Sequence, residues 1–256
     1  MNLRTVVRDC LLLHWDLPEA ALPPLSLPLR YEARCLEGQR HVAAFALLFF
    51  HEGFRIAALP VLRFSYPQFS LALTVTDAQG VPSLLFRRIL VPPWVMPAAR
   101  FVARQPVTTA RLEYDRPSEE VEAEHWRWLV EKEGSLEISA RLGAPQGPKE
   151  CSLEDLVQFF RQRRRGYYQT GKGFRYLETK IPEASSWPLI PQAMETSLLS
   201  HCLPLTNSEP WPQPRSAVLF PELPLISELL LAPQIALPSG VPQPAASRRC
   251  SLRSIL

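Results

Sequence analysis

Proline constrains this chain more than any motif does: 27 of its 256 residues are Pro, about twice the usual share of ~5%. Each one removes a backbone donor and fixes φ, so long helices are disfavoured and many short elements are expected. Between the prolines lie apolar runs of strand length. Leu3 to Leu17 is β-compatible, and Pro18 to Pro24 has the form of a short helix or turn. Leu29 to Leu36 and His41 to Phe50, joined at Glu37-Gly38-Gln39, read as a hairpin whose second strand is apolar enough to be buried on both faces. Phe54 to Phe64 continues the pattern, and Phe69 to Thr76 with Val81 to Arg88 forms a second hairpin about Asp77-Ala78-Gln79-Gly80.

Prolines 92, 93 and 97 interrupt Val91 to Arg104, where Ala98 to Ala103 is the segment expected to be helical. Strands are predicted over Val107 to Tyr114, Glu122 to Glu131 and Ser135 to Leu142. The last alternates Leu136, Ile138, Ala140 and Leu142 with Glu137, Ser139 and Arg141, the clearest strand signal in the chain. Gly173 to Ile181, Ile190 to Leu203 and Ser216 to Phe220 read as extended. Residues 1 to 232 are expected to form one domain, and Pro233 to Leu256, dominated by Ala, Pro, Ser and Arg, a disordered tail. With no internal repeat or second core in the pattern, about ten short strands against two or three helices argue for a mainly antiparallel barrel or sandwich.

One segment stands apart. Ser152 and Asp155 have the form of a capping box, Leu153, Leu156, Val157 and Phe160 recur at helical spacing, and Arg161, Arg163, Arg164 and Arg165 follow where the helix dipole favours cations. Gly166 is placed to cap that helix, Gly171-Lys172-Gly173 to turn a hairpin, and Trp187-Pro188 to lead back into the sheet. Arginines followed by Tyr167, Tyr168, Phe174 and Tyr176 also form the combination that grips phosphates and stacks bases, but core aromatics explain the pattern without a nucleic-acid partner.

The net charge of +3 is too small to imply a polyanionic partner, although its distribution is uneven. From Ser152 to Lys180 seven Lys/Arg face three acids, and from Glu113 to Glu137 nine acids face three bases, so the two segments are able to attract one another. Cys10, Cys35, Cys151, Cys202 and Cys250 contain no CxxC pair, which points to reduced thiols in a cytoplasmic protein. The longest apolar run, Val42 to Phe50, is far short of the ~20 residues needed to cross a bilayer, and Arg4, Arg8 and Asp9 break any signal core. The five histidines lack metal-ligand spacing, and neither GxSxG nor a phosphate-binding glycine loop occurs. No metal or cofactor is expected.

Arg8-Asp9, His14-Trp15, the Gly38 hairpin, Tyr66-Pro67-Gln68-Phe69, Pro106 with Ala110, Ser152 to Arg163 and Trp187-Pro188-Leu189 occur in an order that resembles a group of uncharacterised bacterial proteins related to YqjF. That group is similar to the acetoacetate-decarboxylase-like superfamily. The resemblance spans about residues 1 to 230 and implies a closed, cone-like antiparallel β-barrel with a few peripheral helices around an interior cavity. It also implies that the lysine pair of acetoacetate decarboxylase, one lysine forming a Schiff base and its neighbour lowering the pKa, falls near Val107 and Thr108, neither of which forms an imine. Lys132 between Glu131 and Glu133, Lys149, Lys172 and Lys180 are poor substitutes. Ser70-Leu71-Ala72-Leu73 stands where the group carries a polar run, which implies a more apolar interior, and Arg163 matches the group's helix arginine.

The expectation is therefore a non-catalytic protein whose cavity either binds a small apolar or carboxylate ligand or has become packed core, with Arg111, Arg127, Arg163 and Trp187 as candidate lining residues of a pocket. Two alternatives stand beside it: an enzyme that holds a small organic acid non-covalently through an arginine, and an interaction surface centred on Arg161 to Arg165.

Overall fold

The computed structural model describes residues 2–25, 28–56, 59–99, 107–115, 125–143, 153–170, 173–206 and 210–228. The strands are β1 (Asn2–Pro18), β2 (Arg30–Tyr31), β3 (Ala33–Leu36), β4 (Gln39–Ile56), β5 (Leu59–Thr76), β6 (Pro82–Val91) and β7 (Thr108–Thr109). They continue with β8 (Arg111–Asp115), β9 (His125–Glu131), β10 (Ser135–Leu142), β11 (Arg165–Thr170), β12 (Gly173–Lys180), β13 (Trp187–Glu195) and β14 (Ser216–Glu228). Three short helices, α1 (Met96–Ala98), α2 (Leu153–Arg161) and α3 (Ser197–Cys202), and two 3-10 turns complete the elements. The sheet path runs β1-β4-β5-β6-β11-β12-β14-β13-β10-β9-β8, and β1 also pairs with β14. All pairings are antiparallel except β6 with β7 and β6 with β11. The architecture is mainly β, as the residue pattern implies.

Prolines do not cut the strands as expected, and β1, β4 and β5 span 17, 18 and 18 residues. Their positions explain why. Pro67 lies in β5 before its ladder with β6 begins at Phe69, and Pro191 lies where β13 pairs with β10 alone. Pro221 and Pro224 occupy the part of β14 between its pairings with β13 and β12. Each therefore has one side without a neighbouring strand among the described residues, the side on which a missing N–H removes no ladder bond. Phe54 to Phe64 is not a separate strand either: β4 runs on to Ile56 and β5 starts at Leu59 opposite it.

Both predicted hairpin turns form. Leu36 pairs with Gln39, leaving Glu37 and Gly38 as a two-residue loop with φ of 50° and 79°, the left-handed pair that matches strand twist. At the second turn the Asp77 carboxylate accepts the amides of Gln79 and Val81, each at 2.9 Å.

Strand β4 is buried on both faces. Val42, Ala44, Ala46 and Leu48 join an outer core with Leu11, Leu13, Trp15, Phe69, Leu71 and Leu73, which β9, β10, β13 and α3 cover with Trp126, Trp128, Ile138, Leu189 and Leu199. Ala43, Phe45, Leu47 and Phe49 join an inner core with Val7, Leu12, Leu84, Phe160, Val218 and Phe220. Two large cores thus share one strand, where the residue pattern had suggested one. Ile190 to Leu203 is likewise not extended throughout. It ends in α3, because Leu198, Leu199 and Cys202 recur at helical spacing against the outer core and Glu195 Oε1 accepts the amides of Thr196 and Ser197 at 2.9 and 2.7 Å.

The helix α2 is present, although the predicted cap Ser152 lies outside the described residues, as do Ala103, Lys149, Cys151, Lys172, Cys250 and the tail from 233 to 256. Gly166 does not cap α2, which ends at Arg161; it belongs to β11. A Cβ there would stand 2.4 Å from the Phe86 ring, so glycine is needed for close approach of backbone and ring. Gly166→Ala is expected to cost about 1–3 kcal/mol by overpacking, measured by urea denaturation, with Phe86→Leu in the same chain recovering part of the loss.

Candidate functional site

The inner core does not fill its volume. A cavity of about 180 Å³ remains, lined from β1, β4, β5, β6, β11, β12 and β14, with contributions from the Val95–Ala99 segment and the end of α2. Most of the wall is apolar, including Leu47, Phe49, Phe54, Phe64, Leu84, Phe86, Ile89, Phe160 and Leu223. An apolar void of ~150 Å³ already takes up benzene, so this one has room beyond an aromatic ring.

Three bulges bring the wall together. Asp9, at φ 47°, is extra in β1 relative to β4, so Val7 and Cys10 both face the cavity although they stand three positions apart. Gly53, at φ 60°, does the same in β4 for His51 and Phe54, and the extra residue Arg87 does it in β6 for Phe86 and Ile89. Without these insertions one member of each pair would turn to the opposite face.

The polar groups fall into two sets. At one end a hydrogen-bonded line crosses three strands: Thr5 Oγ1 lies 3.1 Å from His51 Nδ1, His51 Nε2 lies 3.2 Å from Gln68 Oε1, and Gln68 Nε2 donates to Ser70 Oγ at 2.9 Å. These contacts assign the His51 proton to Nε2. The imidazole sits among Phe49, Phe54 and Tyr66, with ring centroids 4.9, 5.5 and 4.6 Å away. Burial pushes its pKa down to about 4, against a raising contribution from Gln68, so His51 is neutral at pH 7. Burial also raises the Tyr66 hydroxyl well above its usual range and the Cys10 thiol to about 12. Both stay protonated.

At the other end stand Arg163 and Arg164, the only formally charged lining residues among those described. Arg163 is 4% exposed; its Nη1 donates to the Phe159 carbonyl, its Nη2 bonds Glu32, and its guanidinium carbon lies 3.3 Å from the Phe159 ring centroid. Burial lowers its pKa, which the Glu32 carboxylate opposes. Its Nε has no hydrogen-bond partner among the described residues. Arg164 is exposed, and no carboxylate pairs with it among the described residues.

Of the four residues that sequence singled out, the structure brings only Arg163 to the cavity. Arg111 is exposed and paired with Glu113 and Glu131, Arg127 is exposed and 2.7 Å from Glu137, and Trp187 is 41% exposed at the start of β13. Their strands β8, β9 and β13 belong to the covering layer. The oppositely charged segments do not meet in the ion pairs described: Arg161, Arg163 and Arg165 engage Glu183, Glu32 and Asp77. Tyr167, Tyr168 and Phe174 are buried. Val107 is buried beside Tyr66, Ile89 and Val95, and no lysine is among the described lining residues.

Sequence reasoning missed Tyr66, Gln68, Ser70, His51 and Arg164. Tyr66, Gln68 and Ser70 stand two apart in a strand whose Phe69, Leu71 and Leu73 face the outer core, so period-two polarity was the available signal. The same alternation narrows the inference that Ser70-Leu71-Ala72-Leu73 makes the interior more apolar, because Leu71 and Leu73 join the outer core and only Ala72 of the three apolar residues joins the inner one. Among the described residues no cluster of three metal-ligating side chains occurs, and no helix is long and apolar enough to cross a membrane.

Solved structures match the chain over most of its length, and what they share with it is the fold. The enduracididine biosynthesis enzyme MppR with HEPES buffer bound superposes with a TM-score of 0.57 at 12% identity, covering 89% of this chain and 85% of that one. MppR complexed with pyruvate gives 0.55 at 13%, covering 89% and 88%. An acetoacetate decarboxylase-like enzyme from Sphingomonas wittichii RW1 gives 0.54 at 13%, covering 88% and 90%. Curated proteins give no match. Residues 4–220 match DUF2071, a family of uncharacterized conserved proteins, and the chain belongs to that family.

The neutral His51 makes stability depend on pH. Its folded pKa of about 4 lies below the ordinary ~6.5, so between those values the unfolded chain binds a proton that the folded chain does not. Its contribution is complete above pH ~6.5 and is lost as pH falls toward 4. Urea titrations across that window should show a slope up to ~1.4 kcal/mol per pH unit steeper in the native chain than in His51→Gln.

Proposed function

We propose that this protein binds a small, largely apolar carboxylic acid inside the sheet, with the carboxylate at Arg163 and Arg164. The observation that carries the reading is the charge pattern of the wall: an apolar cavity whose only formal charges among the described residues are two arginines, one of them without a carboxylate partner there. Guanidinium groups suit carboxylates in geometry as well as charge. The pairing succession β1-β4-β5-β6-β11-β12-β14, with β14 also against β1, supports the further reading that these seven strands close as a barrel around the ligand. Among the described residues the wall offers no lysine for an imine, which favours binding over Schiff-base chemistry.

A second reading, a non-covalent enzyme acting on a small organic acid, draws support from Arg163, which reaches the cavity beside Glu32. Calorimetric titration of the full chain with phenylpropanoate and phenylpropanamide separates the cases. The acid is expected to bind about tenfold more tightly, and Arg164→Gln to bring the two together without unfolding the chain, since Arg164 is exposed. Equal affinity for acid and amide, or binding of neither, would sink the carboxylate reading. Turnover of the acid in the calorimeter cell, read by mass spectrometry, would replace binding with catalysis. A lysine adduct trapped by borohydride with acetoacetate would replace it with imine chemistry.

A further inference from the structure

The two polar ends of the cavity are chemically different, and that difference specifies more than an acid. Arg163 stacks on Phe159, which lies 6.2 Å from Phe45 of β4, and its partner Glu32 donates its backbone amide to Thr74 of β5. The His51–Gln68 contact lies further along the same two strands, from Phe45 to His51 and from Thr74 to Gln68. Phe86 bridges the two ends more directly: its ring abuts Gly166, two residues after Arg164, and packs against the cluster of Tyr66, Ile89 and Val95, a separation on the scale of a small aryl acid. A ligand held at Arg163 and Arg164 therefore points its far end at the neutral line.

That end is walled by Phe49, Phe54, Phe64 and Tyr66, faces and edges suited to an aromatic ring. Its polar atoms are uncharged. Gln68 is held between His51 and Ser70, and the Tyr66 hydroxyl has no hydrogen-bond partner among the described residues. A second charge placed there would lose its hydration without a counter-ion, whereas a neutral hydroxyl would give and take hydrogen bonds where the wall has them to share.

Resting on the carboxylate reading, we infer that the ligand is an aryl-alkanoic acid whose ring carries a neutral hydroxyl, read by Tyr66 and Ser70 at the end of the cavity away from the arginines. The probes are phenylpropanoate and para-hydroxyphenylpropanoate, titrated into the full chain. The hydroxylated acid should bind about fivefold more tightly, the worth of one neutral hydrogen bond. In Tyr66→Phe the preference should vanish while the affinity for phenylpropanoate stays within about twofold; Ser70→Ala provides a second variant if the first folds poorly. Equal affinities in the native chain, or a preference that survives both substitutions, overturn the inference but leave the carboxylate reading standing. Failure of both acids to bind overturns the two together.

Discussion

The structure depends on one strand being apolar on both sides. From Val42 to Phe49 every residue of β4 is buried, alternating between two cores. At ~1.5–3 kcal/mol for each large side chain removed from water, neither face is able to remain open. The layer of β8, β9, β10 and β13 covers one face. The other is covered by the sheet itself, as β6, β11, β12 and β14 bring Leu84, Phe220 and Leu223 across from Phe45 and Leu47, with α2 adding Phe160. A curved sheet around an inner core follows from that requirement.

Curvature leaves space, and the bulges decide what lines it. Asp9 and Gly53 occupy left-handed backbone, and each resets the phase of its strand so that residues on either side of the insertion share the cavity wall. The Gly53 bulge is what sets His51 beside Phe54, and so what surrounds an imidazole with aromatic rings and holds it neutral. Backbone irregularity and electrostatics are here one design: the insertion creates the burial, and burial sets the protonation state.

Charge is distributed by the same geometry. Most arginines of the described residues that have carboxylate partners meet them at the rim, as Arg8, Arg40, Arg111 and Arg127 do. Arg163 is different because the chain leaves α2 beneath the sheet, carrying a guanidinium into the inner core, where Glu32 and the Phe159 ring stabilise it. The cavity is left positive at one end and neutral at the other.

Residue pattern alone determined the β class, both hairpin turns, the two-sided burial of β4 and the strand Ser135–Leu142, because each rests on local chemistry: alternation, left-handed turn residues, apolar runs. Ordered motifs also pointed to the family. Only the tertiary structure decided which alternate set faces the cavity, since period two defines two faces without saying which is inside, and an unseen bulge inverts the answer. That is why Arg111 and Arg127, on strands of the covering layer, looked equivalent to Arg163. It is also why Gln68 and Ser70 passed as ordinary strand residues. Gly166 looked like a helix cap for the same reason, because nothing in its neighbours announces that Phe86, eighty residues earlier, lies against its backbone.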